Sequence, residues 1–340
     1  MKINKFILLI GVLLFLGAVP VVSFADTSED VTPGTKKIYL EPQKTMLEKG
    51  TFKFILALTG GYDNNAHLDS TRNGDPFGQT FFRASFVTPL SQKTDAIFDY
   101  EMMNLLYAGE SDLDITRNGI RAGVDHKLND KVTLSAGYSF DSIVYLYRKD
   151  EGPKEDFFDN SLEFKARQKL SDKLYHSLSY DILYRNYADR YTRTGAGVST
   201  DKERIDVRNV FGYEIGKYFS KDLVKFGAEY YDNNSNESYL KYYDYDSYKF
   251  SGSVTHLFNK TWSGYMAYSW QCRDYNGRTL IGDAAKTELE QTSVATAALF
   301  YTFSKSISFG LNYTYRQNSS NEPIDEYSGS IISLSTYYKF

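Results

Sequence analysis

The last fourteen residues, Tyr327-Ser-Gly-Ser-Ile-Ile-Ser-Leu-Ser-Thr-Tyr-Tyr-Lys-Phe340, decide the fold class of this chain. Side chains of a β-strand alternate between two faces. One face here is mostly apolar and carries Ile332, Leu334, Thr336, Tyr338 and Phe340. The other is mostly small or polar and carries Gly329, Ile331, Ser333, Ser335, Tyr337 and Lys339. A chain that ends on such a strand is typical of a sheet that closes on itself in a membrane, because the last strand then pairs with the first and faces lipid.

The other end of the chain predicts export from the cytoplasm. Residues 1–25 have two lysines, an apolar run from Phe6 to Val22 and a Ser-Phe-Ala cleavage site, which together predict a secretory signal peptide. Residues 26–50 lack strand alternation, and we expect a periplasmic leader or a plug of the lumen. Residues 51–340 then form the membrane domain.

The composition agrees with such a domain. The chain has 340 residues with 30 Tyr and 23 Phe, and no second apolar run is long enough for a helical span. Aromatic residues at the two membrane interfaces and polar residues inside are typical of β-barrels. Acidic residues outnumber basic ones by 43 to 39, which argues against nucleic acid as a partner. The single cysteine, Cys272, excludes an intrachain disulfide.

Six similar short turns divide the chain. Each has an apolar residue, then Ser or Asn, then polar residues; they begin at Leu90, Leu128, Leu170, Phe219, Phe258 and Phe303. Ser and Asn favour turns because their side chains bond to nearby backbone groups. Six turns separate seven hairpins, so the sequence predicts an all-β fold, a transmembrane antiparallel up-and-down β-barrel of about 14 strands. Twelve or sixteen strands stay open, because the polar stretches 188–202 and 274–289, taken as loops, could hide further pairing.

Alternation within the strands places charges inside and apolar residues outside. The predicted lumen-lining residues are Arg83, Asp99, Glu101, Arg117, Arg121, Asp125, Glu163, Lys165, Arg167, Asp181, Arg185, Arg208, Glu214 and Glu229. They could tune the passage of solutes, or they could neutralise one another and fill the lumen. The mixture of signs predicts no strong ion selectivity.

These features resemble the bacterial outer-membrane β-barrel superfamily, and the resemblance covers residues 51–340. The ending Tyr338-Lys339-Phe340 is similar to the signal that the barrel-assembly machinery recognises in such proteins, with Tyr338 and Phe340 as its aromatic positions. Junctions such as Tyr62-Asp-Asn-Asn65 and Tyr231-Asp-Asn-Asn-Ser-Asn236 are similar to the barrel domain of surface lipoprotein assembly modifiers and to exopolysaccharide-export barrels. The resemblance implies a Gram-negative outer membrane, with its lipid and the assembly machinery as partners.

The sequence leaves two functions open. One is a porin-like channel or export pore for small or polymeric polar solutes. The other is a surface barrel with a closed lumen that acts as an adhesin or assembly partner through its outer loops. We expect no cofactor, no metal site and no enzyme, because His126, His176 and His256 lie beside short turns and only His67 lies in a long loop. Tyrosines 239, 242, 243 and 245 form a cluster that favours the outer aromatic girdle over a sugar-binding surface.

Overall fold

A computed structural model describes residues 50–70, 72–146 and 156–340. The predicted signal peptide and all but the last residue of the predicted leader lie outside these residues. The described part of the chain has fourteen strands: β1 Thr51–Asp63, β2 Asp75–Ser91, β3 Thr94–Tyr107, β4 Ile115–Lys127, β5 Val132–Tyr145, β6 Phe157–Ser171, β7 Leu174–Arg193, β8 Ser199–Tyr218, β9 Asp222–Ser235, β10 Tyr245–Leu257, β11 Trp262–Leu280, β12 Asp283–Thr302, β13 Ile307–Ser320 and β14 Tyr327–Lys339. Two 3₁₀ turns, Ser111–Leu113 and Pro323–Asp325, lie between strands. None of the described helices could cross a membrane.

The strands form one closed antiparallel barrel in which each strand pairs with its sequence neighbours. The barrel closes between β1 and β14, with a register that runs from Ile55 opposite Lys339 to Asp63 opposite Ile331. Main-chain hydrogen bonds between Phe54 and Phe340 extend this seam to the final residue. The predicted fold class and strand number are therefore confirmed.

The short turns are stabilised locally by the Ser and Asn side chains that the sequence repeats. Asn129 Oδ1 accepts hydrogen bonds from the amides of Lys131 and Val132, and Asn259 Oδ1 accepts from those of Thr261 and Trp262. Ser304 Oγ accepts from the amides of Ser306 and Ile307. These bonds stabilise the short turns, which lie together at one end of the barrel. We call this end the turn side and the opposite end the loop side.

Two of the predicted long loops are in fact extensions of strands. β7 and β8 stay paired as far as Arg193 opposite Ser199, and β11 and β12 as far as Leu280 opposite Asp283, with register shifts in both hairpins. The prediction that 188–202 and 274–289 are loops was wrong. These segments are polar on both faces and therefore lack the apolar alternation that marked the other strands.

The outer surface is apolar around the barrel. Ile332, Leu334 and Met266 are more than half exposed, as is Phe340. A soluble monomer rarely exposes a contiguous apolar band of this extent. The band has the arrangement of a transmembrane barrel, in which the outward residues face lipid and the inward residues are polar.

Candidate functional site: the lumen

All fourteen predicted lumen residues lie at inward positions of their strands. The register places Arg83, Glu101 and Gly119 side by side, and it places Glu163 opposite Asp181. Ion pairs join many of them to oppositely charged neighbours. The structure brings together the groups that the sequence placed inside, and their role in a conducting pore stays a prediction.

Charged side chains concentrate on the half of the lumen formed by β2 to β8. Arg83 lies 3.0 Å from Asp99 and 3.5 Å from Glu101, and Arg121 lies 2.5 Å from Glu163. Each is a direct contact between neighbouring or nearby strands, so these charges largely neutralise one another.

Two further arginines on this half have partners that were not among the fourteen predicted residues. Arg117 lies 2.7 Å from Asp141, and Arg185 donates two hydrogen bonds to Asp159, at 2.7 and 2.6 Å. Arg185 is 1% exposed. Such a bidentate, fully desolvated pair fixes both side chains.

The remaining predicted residues lie nearer the turn side or on the adjacent strands. The guanidinium of Arg167 lies 3.8 Å from the ring centroid of Tyr175, and Arg208 donates a 3.4 Å hydrogen bond to Asn233. Lys165 and Arg167 are exposed, as is Arg121. Asp125 lies opposite Asp95 and Ser135 at the turn-side end. Solvent therefore enters the lumen from the turn side.

The other half of the lumen, formed by β9 to β14 with β1, is lined mainly by small neutral side chains. Ser, Thr, Ala and Gly leave an eccentric cavity of about 660 Å³ along this wall. Its basic residues outside the predicted set are Lys225, Lys249, Arg273 and Arg316. Lys249 lies 2.9 Å from Glu229, and Lys225 lies 3.7 Å from Glu214, so two predicted residues pair with lysines that the sequence analysis did not select.

The cavity ends at a packed layer on the loop side. Each of the fourteen strands contributes to this level an inward side chain that is less than one-tenth exposed. We call this set the loop-side layer; it consists of Asp63, Phe77, Met103, Ile115, Ile143, Phe157, Tyr187, Asp206, Asn233, Tyr245, Tyr275, Glu290, Arg316 and Tyr327. A water-filled passage through this level would leave the tips of the side chains exposed. The described residues therefore close the lumen here.

One side of the loop-side layer is apolar. Phe77, Met103, Ile115, Ile143 and Phe157 belong to a single buried cluster. Alternation in the sequence predicted polar or charged inner faces, so this apolar cluster was missed. Its signal is the local loss of alternation, as in Leu105-Leu106, Ile143-Val144 and Phe157-Phe158, where both faces of a strand are apolar.

The other side of the layer consists of arginines held between carboxylates and aromatic rings. Arg204 donates hydrogen bonds to Asp206 and to the hydroxyl of Tyr187, and its guanidinium lies 4.0 Å from the Tyr187 ring centroid. Arg316 donates to both carboxylate oxygens of Asp63 at 2.6 Å. Because β13 and β1 lie on either side of β14, this ion pair reaches across the closing strand.

The β9–β10 loop folds onto this layer. The ring centroid of Tyr243 lies 3.4 Å from the Arg204 guanidinium, and that of Tyr239 lies 4.5 Å from the Arg193 guanidinium. Tyr245 faces inward as part of the layer. These tyrosines contact arginines at the mouth of the barrel, so the preferred interpretation as an aromatic girdle was wrong for this cluster.

The same loop packs closely against the β11–β12 hairpin. Leu240 and Lys241 adopt positive φ angles of 55° and 47°. A Cβ atom at Gly277 would lie 1.5 Å from the Leu240 carbonyl oxygen. Only glycine therefore allows this approach. The β9–β10 loop thus rests on both of the extended hairpins.

A buried acidic cluster lies under that hairpin. Carboxylate oxygens of Glu288, Glu290 and Asp325 lie within 4.8 Å of one another. Arg278 lies among them, 2.6 Å from Glu288 and 3.0 Å from Asp325. Burial raises the pKa of Asp325 above its usual value, and the Arg278 charge opposes this shift. The arginine supplies the positive charge that a bound cation would otherwise bring.

Among the described residues, no histidine joins a serine and an aspartate in the arrangement of a Ser-His-Asp triad. His126 contacts Thr94, His176 contacts Gln168, and His256 lies 2.6 Å from Asp222, all at the turn side. His67 lies 3.0 Å from Glu110 on the loop side. Cys272 lies at an outward position between Tyr248 and Gln291.

Comparisons with known proteins identify the architecture. No protein-family model and no curated protein sequence matches this chain. A loop L8 deletion mutant of OmpT, an outer membrane protein of Vibrio cholerae, aligns with a TM-score of 0.52 and 10% identity over 86% of this chain and 100% of that one. In-vitro folded OmpT of Vibrio cholerae aligns with a TM-score of 0.51 and 10% identity over 88% and 100%. At this identity the likeness concerns the fold, and the chain has the fold of the bacterial outer-membrane β-barrels.

Proposed function

We propose that this protein is an outer-membrane channel of a Gram-negative bacterium, and that its lumen conducts small polar solutes once the loop-side layer opens. The supporting observation is the cavity of about 660 Å³ along the small-residue wall. A barrel that serves only as a scaffold could fill this space with side chains, as the buried Arg185–Asp159 pair does on the β2–β8 half. Here small side chains leave an unfilled cavity that reaches Glu290, Arg316 and Tyr327 of the loop-side layer.

The layer supports a gated channel rather than a permanently open one. Its polar side is built from arginine–carboxylate and arginine–tyrosine contacts, and the β9–β10 loop covers it. Contacts of this kind can separate as a unit when a loop moves, whereas the main-chain bonds of the barrel wall stay intact. The solute would enter from the turn side or leave there, depending on the direction of transport.

Export and insertion complete the proposal. Residues 1–25 would direct the chain out of the cytoplasm and be removed, and residues 26–50 would remain on the periplasmic side or enter the lumen. Tyr338 and Phe340 would be recognised by the barrel-assembly machinery before β14 pairs with β1. The outward aromatic and aliphatic residues would then contact outer-membrane lipid.

A second candidate is a barrel with a closed lumen that acts through its loops as an adhesin or assembly partner. The loop-side layer favours it, because all fourteen strands contribute a buried side chain there. In that case the cavity would be an enclosed solvent pocket.

Planar-bilayer recording of the protein purified from outer membranes separates the two candidates. The channel proposal predicts discrete current steps that are brief in the wild type and more frequent when a contact of the loop-side layer is removed. The complete absence of steps in the wild type and in such variants would refute it and support the closed barrel. Heat-dependent mobility on gels, compared between unheated and boiled samples, controls for folding.

A further inference from the structure

The wall of the lumen cavity has a chemical character that selects among polar solutes. Thirteen neutral polar side chains line it: Thr59, Gln79, Ser251, Ser253, Ser269, Gln271, Thr292, Thr296, Asn312, Thr314, Asn318, Ser333 and Ser335. Serine and threonine hydroxyls both donate and accept hydrogen bonds, and so do the amides of Asn and Gln. The wall therefore offers both donors and acceptors to whatever occupies the cavity.

The cavity offers no unpaired cation among its described lining residues. Each lining cation has a carboxylate within 4.0 Å: Arg83 with Asp99, Lys225 with Glu214, Lys249 with Glu229, Arg273 with Glu290 and Arg316 with Asp63. A charged solute would lose hydration on entry and gain no uncompensated charge in return.

Four lining side chains each have one buried polar atom without a hydrogen-bond partner in the described structure. Two are donors, Arg273 Nε and Arg316 Nε, and two are acceptors, Asn312 Oδ1 and Glu290 Oε1. These four atoms are buried, so the groups within reach of an occupant are the hydroxyls and amides of the wall. A hydroxyl group of the solute can pair with either the donors or the acceptors of this wall, because it donates one bond and accepts others.

The size and the aromatic content of the cavity also restrict its occupant. Its volume of about 660 Å³ lies within the range of pockets that hold one small organic molecule, about 300–1,000 Å³. Phe77, Phe81, Tyr265, Tyr327 and Tyr337 contribute aromatic surface among the polar groups. Such surface packs against the C–H groups of a polyhydroxylated molecule.

We infer that the lumen cavity binds uncharged, polyhydroxylated solutes of about monosaccharide size in preference to ions of the same size. This inference rests on the proposed channel function in so far as the bound solute is also the transported one. It extends that function by assigning the class of solute and the residues that select it.

Three ring-shaped probes of similar size separate charge from hydroxyl content: glucose, its carboxylate relative glucuronate, and its ammonium relative glucosamine. Saturation-transfer NMR on the folded barrel, in a detergent without a sugar headgroup, measures their binding. We expect the glucose signal to exceed each of the other two at least fivefold. Equal signals from all three, or a larger signal from either ion, would overturn the inference.

Variants test the residues involved. Asn312→Leu and Gln271→Leu should each weaken the glucose signal several-fold. Asn118→Leu is the matched control, because Asn118 lies at an outward position opposite Met102 and Ser142, and it should leave the signal unchanged. An equal loss in the control would overturn the assignment. Glu214→Gln removes the carboxylate partner of Lys225 and should raise the glucuronate signal several-fold; no rise would contradict the role given to charge pairing.

Conductance on the same preparations distinguishes this inference from the proposed function. Ion currents without a preference for glucose binding would refute the inference and leave the channel in place. Glucose binding without any current in any variant would refute the channel and leave a solute-binding pocket. Each variant is first checked for heat-dependent gel mobility, so that a misfolded barrel is excluded.

Discussion

Replacing Tyr243 with alanine should open the lumen more often. Its ring centroid lies 3.4 Å from the guanidinium of Arg204, which in turn is held by Asp206 and by the hydroxyl of Tyr187. The side chain of Arg204 is 7% exposed, whereas Tyr243 is half-buried. A cation–π contact contributes about 0.5–1 kcal/mol at an exposed site and about 2 kcal/mol when it is desolvated. This contact is partly buried, so we expect a contribution of about 1–2 kcal/mol.

This energy translates into a measurable change in gating. If Tyr243 contacts Arg204 only while the lumen is closed, the substitution destabilises the closed state alone. At 1.4 kcal/mol per factor of ten, the ratio of open to closed time should rise about 5- to 30-fold. Single-channel recording measures this ratio directly from the dwell times.

Two matched substitutions sharpen the test. Tyr239→Ala removes a contact with Arg193, whose side chain is 34% exposed, so we expect a smaller increase than for Tyr243→Ala. Tyr248→Ala removes an outward tyrosine that is 54% exposed and should leave the ratio unchanged. An unchanged ratio in Tyr243→Ala, in a protein that does conduct, would refute the assignment of the loop-side layer as the gate.

Three further predictions follow from the buried contacts and the seam. Arg185→Ala leaves Asp159 buried without its bidentate partner and should lower the free energy of unfolding by about 3–5 kcal/mol. Arg121→Ala, at a side chain that is 49% exposed, should lower it by about 1 kcal/mol or less. Urea titration in lipid vesicles measures both losses, and equal losses would contradict the role of burial. Because burial raises the pKa of Asp325, the folded state binds its proton more tightly than the unfolded chain, so the free energy of unfolding should gain a contribution as pH falls from neutral towards about 4. Urea titration at several pH values measures this gain, which should vanish in Asp325→Asn; an identical pH profile in that variant would assign the effect to other groups. Deleting Phe340 removes the last main-chain bonds to Phe54 and should lower the amount of protein in the outer membrane. The barrels that do insert should keep their conductance. Normal amounts of the protein by immunoblot would count against the role of the terminal residue.

The fold could be predicted because its main signals are local. A strand with one lipid-facing side needs alternation over about ten residues, and the Ser and Asn of the short turns bond to amides two or three residues away. The closing strand β14 is the clearest case, because its apolar face predicted a lipid-facing strand and the structure pairs it with β1.

The loop-side layer could not be predicted in the same way, because it depends on contacts between distant parts of the chain. Arg316 and Asp63 are 253 residues apart in sequence, yet their side chains are 2.6 Å apart. Likewise, only the folded barrel shows that Tyr243 meets Arg204 rather than lipid. A polar, tyrosine-rich loop has the same composition whether it forms a girdle or folds into the mouth. The fourteen inward charges followed from strand register alone, whereas the closure of the lumen required packing.

The most direct test of a lumen closed on the loop side is the accessibility of a thiol placed below the layer. Thr314 lines the cavity beneath Arg316 on β13, so Thr314→Cys in a Cys272→Ser background provides a single reporter. We predict that a maleimide carried on a polyethylene glycol chain fails to label this thiol when it is added outside intact cells. It should label the thiol once the cells are opened to expose the turn side, and it should label from outside when Tyr243→Ala is added. Rapid labelling from outside with the layer intact would contradict a lumen that the loop-side layer closes.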